Sequence, residues 1–183
     1  VPKKFFIIFF LFTSCTIPAY DAGSSVAEWG NMLDKWGTLE DMVADGSAVK
    51  ATTADLQTQI VEQFGKPLWM LGTSEPYVKD DFTALRLYSG GEYAVPMEWI
   101  EDFLHASPID RWKSRKDIPF VCKDFSMAVI SELNISPWYG VMGGIAWISG
   151  HSIVWFMTTD EIVFFEPQND EMLLDINPLV LIR

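Results

Sequence analysis

Soft, reactive side chains are scarce in this chain. Its 183 residues include two cysteines, Cys15 and Cys122, and two histidines, His105 and His151. Four such residues cannot build a zinc ribbon, a disulfide-dense scaffold or a histidine-rich metal site. Basic residues are few as well, with 13 Lys and Arg against 25 Asp and Glu and a formal net charge of −12. A nucleic-acid binder needs a basic face for phosphates, so no nucleic-acid partner is expected. No internal repeat or low-complexity tract is visible, which leaves one ordinary domain as the expectation. What the chain does have is apolar bulk: 13 Phe, 8 Trp and 5 Tyr, in a composition that is 49% hydrophobic. A chain of this length buries roughly two thirds of the surface its unfolded form exposes, so it needs no disulfide staple.

The first residues read as an address. Lys3-Lys4 precede the unbroken apolar run Phe5 to Phe12, and Thr13 to Ala19 supply a small-residue exit. A basic start, a short apolar run and small residues form the secretory pattern. The run is too short to span a bilayer as a helix, which takes about 20 apolar residues. Residues 1–19 are therefore expected to be a signal peptide cleaved after Ala19, or a lipoprotein leader with Cys15 lipidated. The competing reading is a buried strand, since Phe and Ile are good strand formers. On the first reading the protein is secreted or faces the cell envelope. Its only membrane link is then a lipidated Cys15 or an uncleaved leader.

Residues 20–183 are expected to form one domain. It has a helical part at about 24–105, then a cysteine-bearing helix and a sheet at about 118–183. Apolar residues at spacings of three and four predict a helix over Ser25 to Val43, stopped by Asp45-Gly46-Ser47. A second helix is expected over Thr53 to Phe64, with Thr53 as N-cap and Gly65-Lys66-Pro67 as its end. A third opens at Pro96 and runs to about Leu104. Cys122 to Leu133 is helical by the same spacing. Strands follow at Val141 to Ser149, Ser152 to Thr158, Glu161 to Glu166 and near Leu179 to Ile182. Helices first and antiparallel strands after give an α+β class.

Cys122 begins its helix. Unpaired N–H groups and the positive end of the helix dipole favour a thiolate there. The same N–H groups can receive the oxyanion of an acyl intermediate. A free cysteine is also commonly a small buried hydrophobe, and position alone does not choose between the two. His151 begins a strand. A tight turn centred on Thr159-Asp160 pairs Met157 with Ile162, Trp155 with Phe164 and Ile153 with Glu166, and sets His151 opposite Gln168. His151, Glu166 and Gln168 then share one face. A carboxylate beside an imidazole fixes its tautomer and stabilises the imidazolium. Glu166 ends the apolar strand Ile162-Val163-Phe164-Phe165, a poor place for a charge without a partner. The plainer reading is that Glu166 marks the strand leaving the core.

The order is cysteine on a helix N-terminus, histidine on a strand, carboxylate on the next strand, as in papain-like thiol hydrolases. The segment Phe120-Val121-Cys122-Lys123-Asp124-Phe125-Ser126 resembles a Cys-x-Asp-Phe-small motif. The segments Gly144-Ile145-Ala146-Trp147, His151 and Ile162 to Gln168 resemble the paired His and Glu-Pro-Gln segments of one family. That family is the papain-like protease domain at the C-terminus of mushroom agglutinins (Marasmius-type chimerolectins), with bacterial and phage relatives. The resemblance covers roughly residues 90–175. It implies a papain-like fold acting on a peptide or protein substrate, with Cys122 as nucleophile, His151 as base and Glu166 as orienter. It implies a calcium requirement only weakly. The sequence departs from the pattern at Val121 and Val154, where family members often carry an acidic residue and an Asn. Lys116 stands where papain has an oxyanion-hole Gln. Gln168 is expected either to supply a donor or to brace the strand.

Other polar features have simpler expectations. Asp124 lies in the first turn of the cysteine helix, where a carboxylate suits the dipole. The alternative for it is a metal ligand. Asp80-Asp81 and Glu101-Asp102 lack the spacing of a calcium loop and read as solvated faces. His105 sits at a helix C-terminus, which the dipole favours. Two other activities fit the same residues: a cell-wall peptidase, or a transglutaminase-like acyl transferase. A third reading is a binding domain that kept the fold and lost the chemistry.

Overall fold

The computed structural model describes residues 22–65, 69–70, 91–111, 121–135, 137–148, 151–174, 176 and 180–181. The leader 1–19 with Cys15, the turn signals between 72 and 90, Asp80-Asp81, and the basic stretch 112–116 with Lys116 lie outside the described residues. Five α-helices are described: α1 (Ala22–Trp36), α2 (Leu39–Asp45), α3 (Thr53–Phe64), α4 (Met97–Ala106) and α5 (Cys122–Ile135). The strands are β1 (Val49–Lys50), β2 (Trp69–Met70), β3 (Tyr93–Ala94), β4 (Gly143–Ile148), β5 (His151–Met157), β6 (Ile162–Glu166), β7 (Glu171–Met172) and β8 (Val180–Leu181). A single 3-10 turn, Ile109–Arg111, follows α4. The class is α+β, as expected.

The helix expected over Ser25 to Val43 is two helices. Gly37 takes a left-handed φ of 70°, which costs glycine little and other residues more. Thr38 then caps α2: its side chain accepts the Asp41 N–H, and the Asp41 carboxylate takes the Thr38 N–H in return. This capping box starts a new helix where the apolar spacing alone ran straight through. The same device corrects the start of α3, where Thr52 is the N-cap and bonds reciprocally with Asp55. Pro96 is likewise the N-cap of α4, one place before the position expected for it.

Strands β4, β5 and β6 form the middle of a six-stranded sheet of order β2-β8-β4-β5-β6-β7. All its pairings are antiparallel except β2 with β8, which is parallel. Side chains alternate between the two faces. Ile145, Val154, Phe156, Val163 and Phe165 join Trp99, Phe103, Phe125 and Val129 of α4 and α5 in one cluster. Ala146, Ile153, Trp155, Met157, Ile162 and Phe164 join Leu56 and Ile60 of α3 in a second. With both faces covered, the strands read as continuous apolar runs instead of alternating with polar residues. Each fully buried large side chain contributes roughly 1.5–3 kcal/mol over its exposed state.

Aromatic rings bind the helices to this sheet. Trp99 stacks on Phe103 at 5.2 Å, and Phe103 meets Phe156 edge-on at 6.1 Å. Trp29 of α1 stacks on Trp138 at 5.5 Å, and the Trp138 indole N–H donates to the Gly37 carbonyl. The break between α1 and α2 is thereby pinned to the segment that follows α5.

On the opposite face Gln63 of α3 reads the backbone of β6. Its amide donates to the Ile162 carbonyl at 2.7 Å and accepts the Ile162 N–H at 3.0 Å. Two hydrogen bonds near solvent are each worth about 1 kcal/mol net. Gln63→Ala is therefore expected to lower unfolding stability by about 1–2 kcal/mol, read from the urea midpoint. A midpoint equal to the parent's would refute this role for Gln63.

Candidate active site

At one end of the sheet β5 and β6 bring His151 to Glu166, while α5 reaches β5 through Ser126 and Ser152. The β5–β6 ladder pairs Met157 with Ile162, Trp155 with Phe164 and Val154 with Phe165. This is the register expected from a turn centred on Thr159-Asp160. Thr158 closes that turn by donating its hydroxyl to the Glu161 carbonyl at 2.7 Å. Carried on by two residues, the register sets His151 and Glu166 on one face. Their side chains are joined there, His151 Nε2 to Glu166 Oε2. Both are partly sheltered, His151 at 33% and Glu166 at 17% side-chain exposure. At that depth a charge without a partner is costly, and the pair supplies one.

Gln168 completes this group. Its side-chain amide donates to Glu166 Oε1 at 3.1 Å, and its backbone N–H reaches the same oxygen at 3.4 Å. One carboxylate oxygen thus faces the imidazole and the other is held by Gln168. Gln168 thus holds the carboxylate that faces the imidazole.

Cys122 is a free, half-buried thiol at the first position of α5. Asp124 accepts the Val121 N–H on its carboxylate at 3.0 Å, while the Asp124 N–H returns to the Val121 carbonyl at 2.8 Å. That is a reciprocal helix-start contact of the capping kind. Among the described residues no hydrogen bond joins Cys122 to His151. Bonds between a nucleophile and its base are often long before substrate arrives. What the structure does join is a residue one turn on from the cysteine and the residue next to the histidine. Ser126, one turn after Cys122, meets Ser152, the residue after His151, with hydroxyl oxygens 3.1 Å apart. Both serines are buried. The sequence motif counted Ser126 only as small. A hydroxyl at i+4 from the cysteine, with another beside the histidine, was the signal that could have found the pair.

The remaining polar residues have structural partners. Asp102 accepts from Lys35 Nζ at 2.6 Å and Trp36 Nε1 at 2.7 Å, tying α1 to α4, so it is not a free solvated charge. Glu101 is exposed. His105 is exposed near the end of α4, and its carbonyl accepts from Arg111. Among the described residues no group of three or more His, Cys, Asp or Glu could hold a metal ion. These residues therefore do not fit a calcium centre. Among them, too, no helix is long and apolar enough to cross a membrane.

A second acidic group lies behind α5. Glu132, Asp170, Asp110 and Arg111 come together where α5, the turn after β6 and the 3-10 turn meet. Burial pushes the Glu132 carboxyl up to about 7, against one hydrogen bond from Ser107. Burial also pushes Asp170 up to about 7; neighbouring Asp110 and Glu132 add to this and Arg111 opposes it. Sequence reading missed this group, because its members are far apart in the chain.

No protein-family model matches the chain, and no curated protein matches it. Eight solved chains match. One, described as "PSL1a-E64 complex", is 16% identical with a TM-score of 0.41. The match covers 69% of this chain and 45% of that one, so this chain spans less than half of that structure's length.

Proposed function

We propose that the chain is a papain-like thiol hydrolase of peptide or amide bonds, with Cys122, His151 and Glu166 as its working residues. The observation that carries the reading is the imidazole–carboxylate pair of His151 and Glu166, braced by Gln168. Glu166 occupies Nε2, so the proton sits on that nitrogen and Nδ1 keeps its lone pair. Nδ1 takes the Cys122 proton, and the thiolate attacks the acyl carbon. The carbonyl electrons move to oxygen, where N–H groups of the first turn of α5 receive the charge. Collapse of this intermediate expels the amine, which leaves with the proton from the imidazolium. Water, deprotonated by His151, then hydrolyses the thioester and frees Cys122.

Labelling tests the first step. Cys122 is expected to react with iodoacetamide at pH 7 about tenfold faster than free cysteine, because a free thiol is only a few per cent thiolate there. The labelled site is assigned by peptide mass spectrometry. A rate equal to that of free cysteine would sink the enzyme reading and favour a non-catalytic binding domain. Fast labelling with casein left uncut would shift the substrate toward cell-wall peptides or an acyl acceptor other than water.

A further inference from the structure

We infer that the buried hydroxyl pair Ser126–Ser152 is a positioning device that holds the Cys122 turn of α5 against the His151 end of β5. The inference rests on the thiol–imidazole reading above.

Three observations carry it. Ser152 Oγ donates to Ser126 Oγ at 3.1 Å, and Ser126 Oγ donates on to the Cys122 carbonyl at 3.2 Å. The chain of bonds therefore begins at the neighbour of the histidine and ends on the backbone of the cysteine. Both serines are almost fully buried, at 0% and 3% exposure. They sit on the face where α5 packs through Phe125 and Val129 against Val154 and Phe156. The packing of Phe125 and Val129 there is apolar and without direction. Apolar packing fixes the separation of helix and sheet but tolerates sliding along them. A hydrogen bond fixes the register, because it weakens steeply with angle. Sliding of about 1 Å at a reacting pair can cost as much as about 100-fold in rate.

Ser126 and Ser152 touch no substrate, so their signature is in the thiol's ionisation behaviour. The experiment is the iodoacetamide rate at Cys122 from pH 5 to 10 for the parent, Ser126→Ala, Ser152→Ala, the double variant and His151→Ala. Circular dichroism and an unfolding midpoint are recorded for each. At neutral pH the serine variants are expected to slow labelling about tenfold. All three should be slowed equally, because each cuts the same link. Near pH 10 their rates should rejoin the parent's, since a thiol is then largely thiolate whatever its base does. Simple loosening of the fold would instead raise labelling at every pH. Ser126→Ala is the variant most certain to fold, because alanine is the better helix former. A Ser126→Ala profile that superimposes on the parent's, while His151→Ala slows labelling, overturns the positioning role alone. If His151→Ala also leaves the profile unchanged, the thiol–imidazole reading fails and the positioning role with it.

Discussion

Replacing His151 by alanine is expected to lower turnover of a peptide or amide substrate by about 10²- to 10⁴-fold, the usual worth of a positioned general base. The loss should be in kcat and kcat/KM together, since the proton moves only on the way to the transition state. Glu166→Gln is expected to cost less. The amide oxygen of Gln can still accept from His151 Nε2, so orientation survives while stabilisation of the imidazolium is lost. Glu166→Ala should approach the His151 variant, because the ring then loses its only described partner. The ordering of the three is diagnostic. Equal activity in His151→Ala and the parent would remove His151 from the mechanism. A Glu166→Gln variant worse than Glu166→Ala would mean that the carboxylate is not an orienter.

Stability is expected to fall as pH rises from about 4.5 to about 7, the reverse of the usual behaviour of surface carboxylates. Glu132 and Asp170 are both raised to about 7 in the folded chain, against ordinary values of 4.5 and 3.8. Between those values and 7 the folded state keeps protons that the unfolded chain has released. Folding takes up protons in that window, so stability declines with pH and levels off above it. For Glu132 alone the shift corresponds to about 3 kcal/mol; Asp170 acts in the same direction. Glu132→Gln keeps an acceptor for Ser107 and carries no charge. It is expected to match the parent near pH 4.5 and to exceed it in stability at pH 8. Urea midpoints across this range measure both effects. A parent curve that rises between pH 5 and 8, or a variant with an unchanged slope, would contradict this account. The capping carboxylates Asp41 and Asp55 do not confuse the result. Bonds from Thr38 and Thr52 hold them below the usual range, so their contribution is lost only at lower pH.

Much of this arrangement was legible because it is local. The β5–β6 register follows from a short turn, and a period of two then puts His151 and Glu166 together without knowledge of the rest of the fold. The start of α5 at Cys122 follows from apolar spacing. Apolar periodicity runs through the split between α1 and α2, although Gly37, Thr38 and Asp41 carry its signal. Apolar residues continue across the break, and periodicity weighs them above three cap residues. Strands β1, β2, β3 and β7 escaped notice because two residues make no pattern. The Ser126–Ser152 link and the Glu132–Asp170 group join α5 to distant segments. Nothing within a window of the chain announces such contacts; they exist only once the sheet has been packed.

The sheet order has a consequence for how the site can be lost. Strands β5 and β6 have a neighbour on both sides and never form an edge. Fraying begins at edges and termini, where backbone hydrogen bonds open one at a time at small cost. Between two filled positions a strand cannot peel away by itself. The ladder that carries the imidazole and its carboxylate partner therefore belongs to the last part of the molecule to open. Mild heating or denaturant would loosen α1 or the far strands β2 and β8 first and leave that pair assembled. Its disappearance and the collapse of the whole fold would be a single event.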